Sequence, residues 1–582
     1  MIHQHGDAHE HDALSIGNSG AEVPEIGNRE ELGLTGVVGE PEQAEPNPEL
    51  ASSAGARLAK ALGLDLELLG QSDSAGEGAA SADESVSAGE PSGVGPASSA
   101  GSAGEPTGVG EPTGVVPNSH LSEADRVAQQ WVADAELERR VAEIYAGIIA
   151  RAPEHKVQPS LERVALALDL MGNPQDMYRA IHITGTNGKT STSRMIEALL
   201  RERGLRTGRF TSPHLNSVRE RISIDGHAIE AEDFVQAWED VAPFIEMVDA
   251  KSAETGGPRM SFFEVFTVMA YQAFASAPVD VAVIEVGMGG RWDATNVVDA
   301  DVAVLMPISH DHEKWLGYDL EDIADEKLGI VKEGATLVLA GQQPEIRSLA
   351  RYRAGELRAR VLDNLEVLSR EVAVGGQLIT VRTPAAVYED VPLAMLGGYQ
   401  AENAAVAITA VEAFFGGGAL GADVVEHALM ATTSPGRLEI VRNSPLVIVD
   451  AAHNPAGARA TREALEEYFL GPRVAVFSAM ADKNIEGILA ELEPAFEYIV
   501  VTSMSTERAM DSAEIVEIAE DIFGEDRVRL EEDLLNAIAV AVDLAETADP
   551  DSVAPASVTV IGSIMLAADA RALLRAPKVD GS

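Results

Sequence analysis

From Arg179 onward short apolar runs alternate with stretches in which apolar residues recur every three or four positions. The runs lie at 281–286, 302–306, 336–340, 446–450, 474–477, 498–502 and 558–561. Strands alternating with amphipathic helices predict parallel sheets covered on both faces. The stretch 362–396 lacks a helical period and predicts a small β insertion, while the break TTSPG at 432–436 separates two α/β units. Upstream, Ser122-Glu123-Ala124-Asp125 resembles a capping box. Val127, Trp131, Val141, Ile144, Tyr145 and Ile148 follow at helical spacing. The expected organisation is a tail at 1–120, a first α/β domain at 121–432 and a smaller Rossmann-like domain at 433–582.

Residues 1–120 depart from this pattern. They are rich in Gly, Ser, Ala, Pro and Glu and repeat SAGEPSGVG, SAGEPTGVG and EPTGVV. Such a composition cannot bury enough apolar surface to offset chain entropy, so a disordered acidic tail is expected, with a transient helix around 58–69. His3, His5, His9 and His11 could bind a metal, but incidental histidines on a polar tail are the plainer reading.

The chemistry centres on RAIHITGTNGKTSTSRMI, from Arg179 to Ile196. An apolar strand runs into Gly185-Thr186-Asn187-Gly188-Lys189-Thr190 and then into a helix, which is the context a P-loop needs. The glycines let successive N–H groups converge on a phosphate, and the helix N-terminus adds partial positive charge. Lys189 can reach the β- and γ-phosphates and Thr190 can offer its hydroxyl to Mg²⁺. Ile183 stands where the full G-x-x-x-x-G-K-[ST] pattern has its first glycine, so an ordinary glycine turn is the alternative. Glu285 ends the run at 281–286, where a carboxylate beside a P-loop suits a Mg²⁺ ligand or a group that orients water. Ser309-His310-Asp311-His312 hints at zinc, but the chain has no cysteine and no matching distal cluster. Lys327, in a helical stretch, reads on pattern alone as a solvated residue.

The whole-chain numbers narrow the partners. A formal net charge of −51 argues against nucleic acid and anionic membranes. The absence of cysteine removes disulfides and thiol chemistry. No apolar run is long enough to span a bilayer and no signal peptide opens the chain, so a cytoplasmic, monomeric protein is expected.

TGTNGKTS, TSPHL, EVGMGGRWDATN, SHDH, ADEKLGI, GGYQAENAAVA, PGRLE and DAAHNP occur in this order. Together, from Leu161 to Arg571, they resemble the Mur ligase superfamily, and within it the folylpolyglutamate synthase/dihydrofolate synthase branch. The resemblance implies a Mur ligase-like P-loop ATPase domain. It implies an ATP- and Mg²⁺-dependent ligase that adds L-glutamate to folates, and to 7,8-dihydropteroate, through an acyl phosphate. Gly188, Lys189, Thr190 and Ser191 would cradle phosphate, with Gly185, Thr186 and Asn187 leading in. Ser212, Glu285 and His312 match metal-binding positions, and Lys327 matches a lysine that becomes carboxylated. Asn403, Arg437 and Asp450 match contacts to ATP, and His453 falls where glutamate and acyl phosphate meet. Leu161, Glu162, Arg163, Phe262, Phe263, Glu264, Arg291, Asp293, Thr295 and Asn296 resemble the pterin side. For Phe262, Phe263 and Phe266 core packing is the competing reading. Thr190 replaces the glycine of the GKGS common in folate ligases, and Tyr399 replaces a frequent histidine. A cell-wall Mur ligase and a regulatory P-loop ATPase are the rival functions.

Overall fold

The computed structural model describes residues 123–151, 160–549 and 551–575. The tail repeats, the four early histidines, the 58–69 patch and Ser122 lie outside them. Eight strands form the first sheet: β1 (Arg179–Thr184), β2 (Thr207–Phe210), β3 (Ile222–Ile224), β4 (His227–Ala228), β5 (Val281–Glu285), β6 (Val302–Leu305), β7 (Thr336–Leu339) and β8 (Arg360–Leu362). Their order is β4-β3-β2-β5-β1-β6-β7-β8. All are parallel except β3 and β4, which add an antiparallel edge. All five residues of β5 and all four of β6 are buried, as continuous apolar runs require.

Helices cover both faces. Lys189–Glu202 and Gly398–Phe414 pack Met195, Leu199, Ala404 and Ile408 against one face. Phe262–Ser276 and Ala231–Glu254 pack Phe266, Phe274 and Phe234 on the other. The helix Glu123–Ile149 joins this second core through the buried Val141 and Ile148, with Ile144 and Tyr145 partly buried against it. Trp131, which shares their spacing, is 74% exposed.

The predicted β insertion is the antiparallel meander β9 (Glu366–Ala373), β10 (Gly376–Arg382) and β11 (Val387–Leu393). Beyond it a second large sheet holds β12 (Glu439–Asn443), β13 (Leu446–Val449), β14 (Arg473–Phe477), β15 (Tyr498–Val501), β16 (Val528–Leu530) and β17 (Ser557–Ile561). The order is β12-β13-β17-β14-β15-β16, parallel apart from β12 against β13. Leu465, Ile488 and Ile515 fill one side and Ile538, Ala541 and Leu566 the other. β2, β3, β4, β8, β12 and β16 were not marked by the apolar runs, since short edge or amphipathic strands carry little periodic signal.

β1 lies between β5 and β6, so the chain leaves β1 toward one side of the sheet and returns after β5 on the other. A crevice outside the carboxyl ends of the strands follows from that switch point.

Candidate active site between the two large sheets

The turn after β1 sits over this crevice. Ile183 is level with Glu285 on β5, and Thr184 with Leu305 on β6. Thr186 fixes the loop: its N–H donates to Pro307 O at 3.0 Å and its hydroxyl to Ser309 O at 3.0 Å. Gly188 adopts φ +86°, and a Cβ there would lie 2.6 Å from Asn403 Oδ1, so glycine is favoured by its backbone and by the close approach of Asn403. Lys189 folds back, donating to Gly185 O at 3.0 Å and Thr186 O at 3.2 Å. Burial lowers its pKa, with Glu285 and Asp311 opposing.

Lys327 is not the solvated residue that its pattern suggests. It is 4% exposed and donates to Gly185 O at 3.1 Å. Burial first, then the neighbouring charge of Lys189, brings it down to about 7. Thr190 Oγ1 donates to Glu285 Oε1 at 2.8 Å, while Glu285 Oε2 is buried without a partner. Burial raises the Glu285 pKa against the pull of Lys189. A buried orphan oxygen costs free energy unless something fills the position. Among the described residues no three His, Cys, Asp or Glu side chains form a metal-holding group. A cation here would therefore depend on hydroxyls, Glu285 and a single imidazole.

The opposite wall comes from the second large sheet and its loops. Ser212, Glu285, His312, Lys327, Asn403, Arg437, Asp450 and His453 all line the same cavity as Gly185 to Ser191. Asp450, at the end of β13, accepts from Leu438 N at 2.7 Å, Ala452 N at 2.9 Å and Thr461 Oγ1 at 3.0 Å. Ser191 Oγ donates to Ser434 Oγ at 3.0 Å and accepts from Gln400 Nε2 at 3.3 Å. Tyr399 also lines the cavity.

Asp311 joins the walls. Its Oδ1 accepts from Lys483 Nζ at 2.6 Å, and its Oδ2 lies 3.4 Å from Asn454 Nδ2 and 3.5 Å from His453 Nε2. Burial pushes its pKa up, but His453, His312 and Lys483 together hold it well below the usual carboxylate range. Asn187 and Asn454 exchange amide hydrogen bonds at 3.2 and 3.0 Å across the same gap. His312 stands at φ +54° and burial lowers it to about 4. Lys483 carried no signal in the sequence, because one lysine in a loop has neither period nor spacing.

The residues singled out for the pterin side do not line this cavity. Arg163 pairs with Glu264 at 2.9 Å, and Glu264 also closes the capping box of the helix Phe262–Ser276. Phe262 is 3% exposed and packs on Phe266 at 4.7 Å between ring centroids. Phe263 is partly buried in the same core. Asp293 accepts from Met288 N and Thr295 N, and Asn296 donates to Arg291 O and Gly329 O. Arg291 pairs with Asp325 at 2.8 Å, and Leu161 and Glu162 open the helix Glu162–Leu170.

The Mur ligase middle domain model matches residues 243–411, and the Mur ligase, glutamate ligase domain model matches residues 436–556. Fold and site thus define a Mur-type carbon–nitrogen ligase. The dihydrofolate synthase/folylpolyglutamate synthase of Mycobacterium tuberculosis is 46% identical over 445 residues, 73% of this chain and 91% of the relative. That of Bacillus subtilis is 34% identical over 372 residues, 62% of this chain and 85% of the relative. The crystal structure of the M. tuberculosis folylpolyglutamate synthase complexed with ADP and AMPPCP matches with a TM-score of 0.72 at 43% identity, covering 75% of this chain and 99% of that one. An Escherichia coli relative in complex with DHPP and ADP gives 0.63 at 26% identity, covering 75% and 97%. The chain belongs to the dihydrofolate synthase/folylpolyglutamate synthase family. No helix among the described residues is long and apolar enough to cross a membrane.

Proposed function

We propose that this protein joins L-glutamate to folates, and to 7,8-dihydropteroate, by way of an acyl phosphate made from ATP. The observation that carries the reading is the convergence in one cleft of Lys189 and Thr190 with Arg437, Asp450 and His453 from the opposite wall. The relatives solved with ADP, AMPPCP and DHPP support the same ligand classes.

A carboxylate is a poor acyl donor, so its oxygen must first take the γ-phosphoryl group of ATP. The N–H groups of the 185–191 loop and the Lys189 ammonium would neutralise charge developing on that group. Asn403, Arg437 and Asp450 would hold the nucleotide from the far side. Thr190, Ser212, Glu285 and His312 would hold Mg²⁺, which supplies charge neutralisation on phosphate oxygens, and the unpartnered Glu285 Oε2 fits that use. Lys327, brought to about 7 by burial, has the neutral amine that carboxylation needs. The amine of glutamate then attacks the acyl phosphate near His453, phosphate departs, and an amide forms. Water would destroy the intermediate, so two domains, 121–432 and 433–582, closing over it suit the chemistry. Leu161, Glu162, Arg163, Phe262, Phe263, Glu264, Arg291, Asp293, Thr295 and Asn296 would act on the pterin side chiefly by shaping its wall.

Phosphate release with ATP, Mg²⁺ and L-glutamate, with dihydropteroate and tetrahydrofolate in separate reactions, tests this. Release and amide products with both acceptors are expected. Release with tetrahydrofolate alone removes the dihydropteroate half, and release with neither removes the proposal.

A further inference from the structure

A second cavity of about 590 Å³ is lined by residues of the 432–438 linker. Its walls come from four places: the β9–β11 meander with the chain that follows it, the linker with β12, the end of the helix Pro455–Tyr468, and the last helix, Ile564–Arg575. Its volume falls in the range of small-molecule sites. Met395, Leu396, Leu438 and Phe469 make one side apolar. The other side is cationic, in a chain with 94 acidic and 43 basic residues. There Arg571 Nε lies 3.1 Å from both oxygens of Glu439, and Arg575 Nη2 lies 2.7 Å from Oε1. Gly436 N donates to the same carboxylate at 2.7 Å. Each guanidinium carries five N–H groups, so both arginines keep donors for a second anion. With Arg437, Arg571 and Arg575 against Glu439, the charged groups that line the cavity sum to +2.

We propose that this cavity binds a small aromatic or aliphatic carboxylate, its apolar body on Met395, Leu396 and Phe469 and its anion on Arg571 and Arg575, and that the occupant tightens nucleotide binding in the main cleft. The coupling has a physical carrier. Ser434 lines this cavity and accepts the hydrogen bond of Ser191 from the P-loop turn. Arg437 lines both cavities. An occupant that touches the linker and the elements around it stabilises the linker arrangement in which those contacts exist. By linkage the nucleotide must tighten the occupant by the same factor. The coupling rests on the nucleotide reading of the main cleft, whereas occupancy of the second cavity does not.

Calorimetry on the full chain would use N-benzoyl-L-glutamate as the probe, first without nucleotide and then with saturating AMPPCP and Mg²⁺. Inorganic phosphate and benzyl alcohol serve as the anion-only and apolar-only probes. Binding of N-benzoyl-L-glutamate is expected in both states. It should weaken about tenfold or more in Arg575→Gln and in Ala373→Trp, which fills the cavity from β9. AMPPCP should bind about fivefold tighter with the probe present, and not in Ala373→Trp. Binding that survives both substitutions assigns the probe to the main cleft and overturns the site. Phosphate binding as tightly as the probe overturns the ligand class, and an unchanged AMPPCP affinity overturns the coupling. Failure of AMPPCP itself to bind would sink the nucleotide reading while leaving the nucleotide-free titration to judge the site.

Discussion

At Glu285 burial and chemistry pull in opposite directions. The carboxylate is 1% exposed, one oxygen is satisfied by Thr190 and the other has no partner. Leaving a charge so poorly satisfied is costly for stability and useful for holding a cation. Glu285→Gln is therefore expected to lower kcat by roughly 10²-fold while leaving the melting temperature unchanged or raised; steady-state assays and calorimetric melts decide it. His182 is a second buried group with a signed consequence. Its Nε2 lies 2.9 Å from Thr295 Oγ1, its Nδ1 has no partner, and burial lowers it to about 3. The folded state thus binds fewer protons than the unfolded chain between pH 3 and the ordinary histidine value of 6.5. Stability is present above 6.5 and falls as pH drops through that window, by at most about 1.4 kcal/mol per unit from this residue. Urea titrations from pH 7 to 4 should show a shallower decline for His182→Asn than for the parent chain.

At the scale of elements, close backbone approach decides what is tolerated. The loop after β5 passes so near the helix Leu320–Leu328 that a Cβ at Gly290 would lie 2.5 Å from Lys327 O and 2.9 Å from Lys327 Cα. Backbone cannot yield as a flexible side chain can. Gly290→Ala should cost about 1–3 kcal/mol in denaturant unfolding. It should also reduce turnover, because Lys327 reaches the cavity from that helix. A stable but inactive variant would mean that Lys327 moved without loss of packing. The capping box of the helix Phe262–Ser276 is a contrasting case: Glu264 serves the helix end and Arg163 at once.

Across the whole molecule, the two walls of the cleft meet through polar contacts. The Lys483–Asp311 pair is about nine-tenths buried on both sides, and His453 and Asn454 approach the same carboxylate. Removing one member of such a pair leaves the other buried and poorly compensated. Lys483→Met should lower kcat/KM by about 10- to 100-fold with a modest loss of thermal stability. The double variant with Asp311→Asn should be less than additive, measured as a double-mutant cycle on both quantities. Additive losses would mean that the two residues act separately.

The α/β alternation, the P-loop turn, the β insertion and Glu285 at a strand end were legible in the sequence, because strand and helix periods and phosphate-binding turns are local properties. Membership of the Mur ligases was legible for the same reason: each motif is a short segment, and their order survives without coordinates. What the sequence could not decide was burial and pairing at long range. By its local pattern Lys327 read as a surface lysine, and only the resemblance of ADEKLGI singled it out; it lies buried, donating to Gly185 O. Trp131 shared a helical stripe with Val141 and Ile148 and is exposed, which spacing alone does not reveal. Lys483 became visible only when a loop 172 positions away from Asp311 was brought to 2.6 Å. Local spacing sets which groups are available, while the packing of the two sheets sets which of them lose water and find partners, and that loss of water determines their charge and their chemistry.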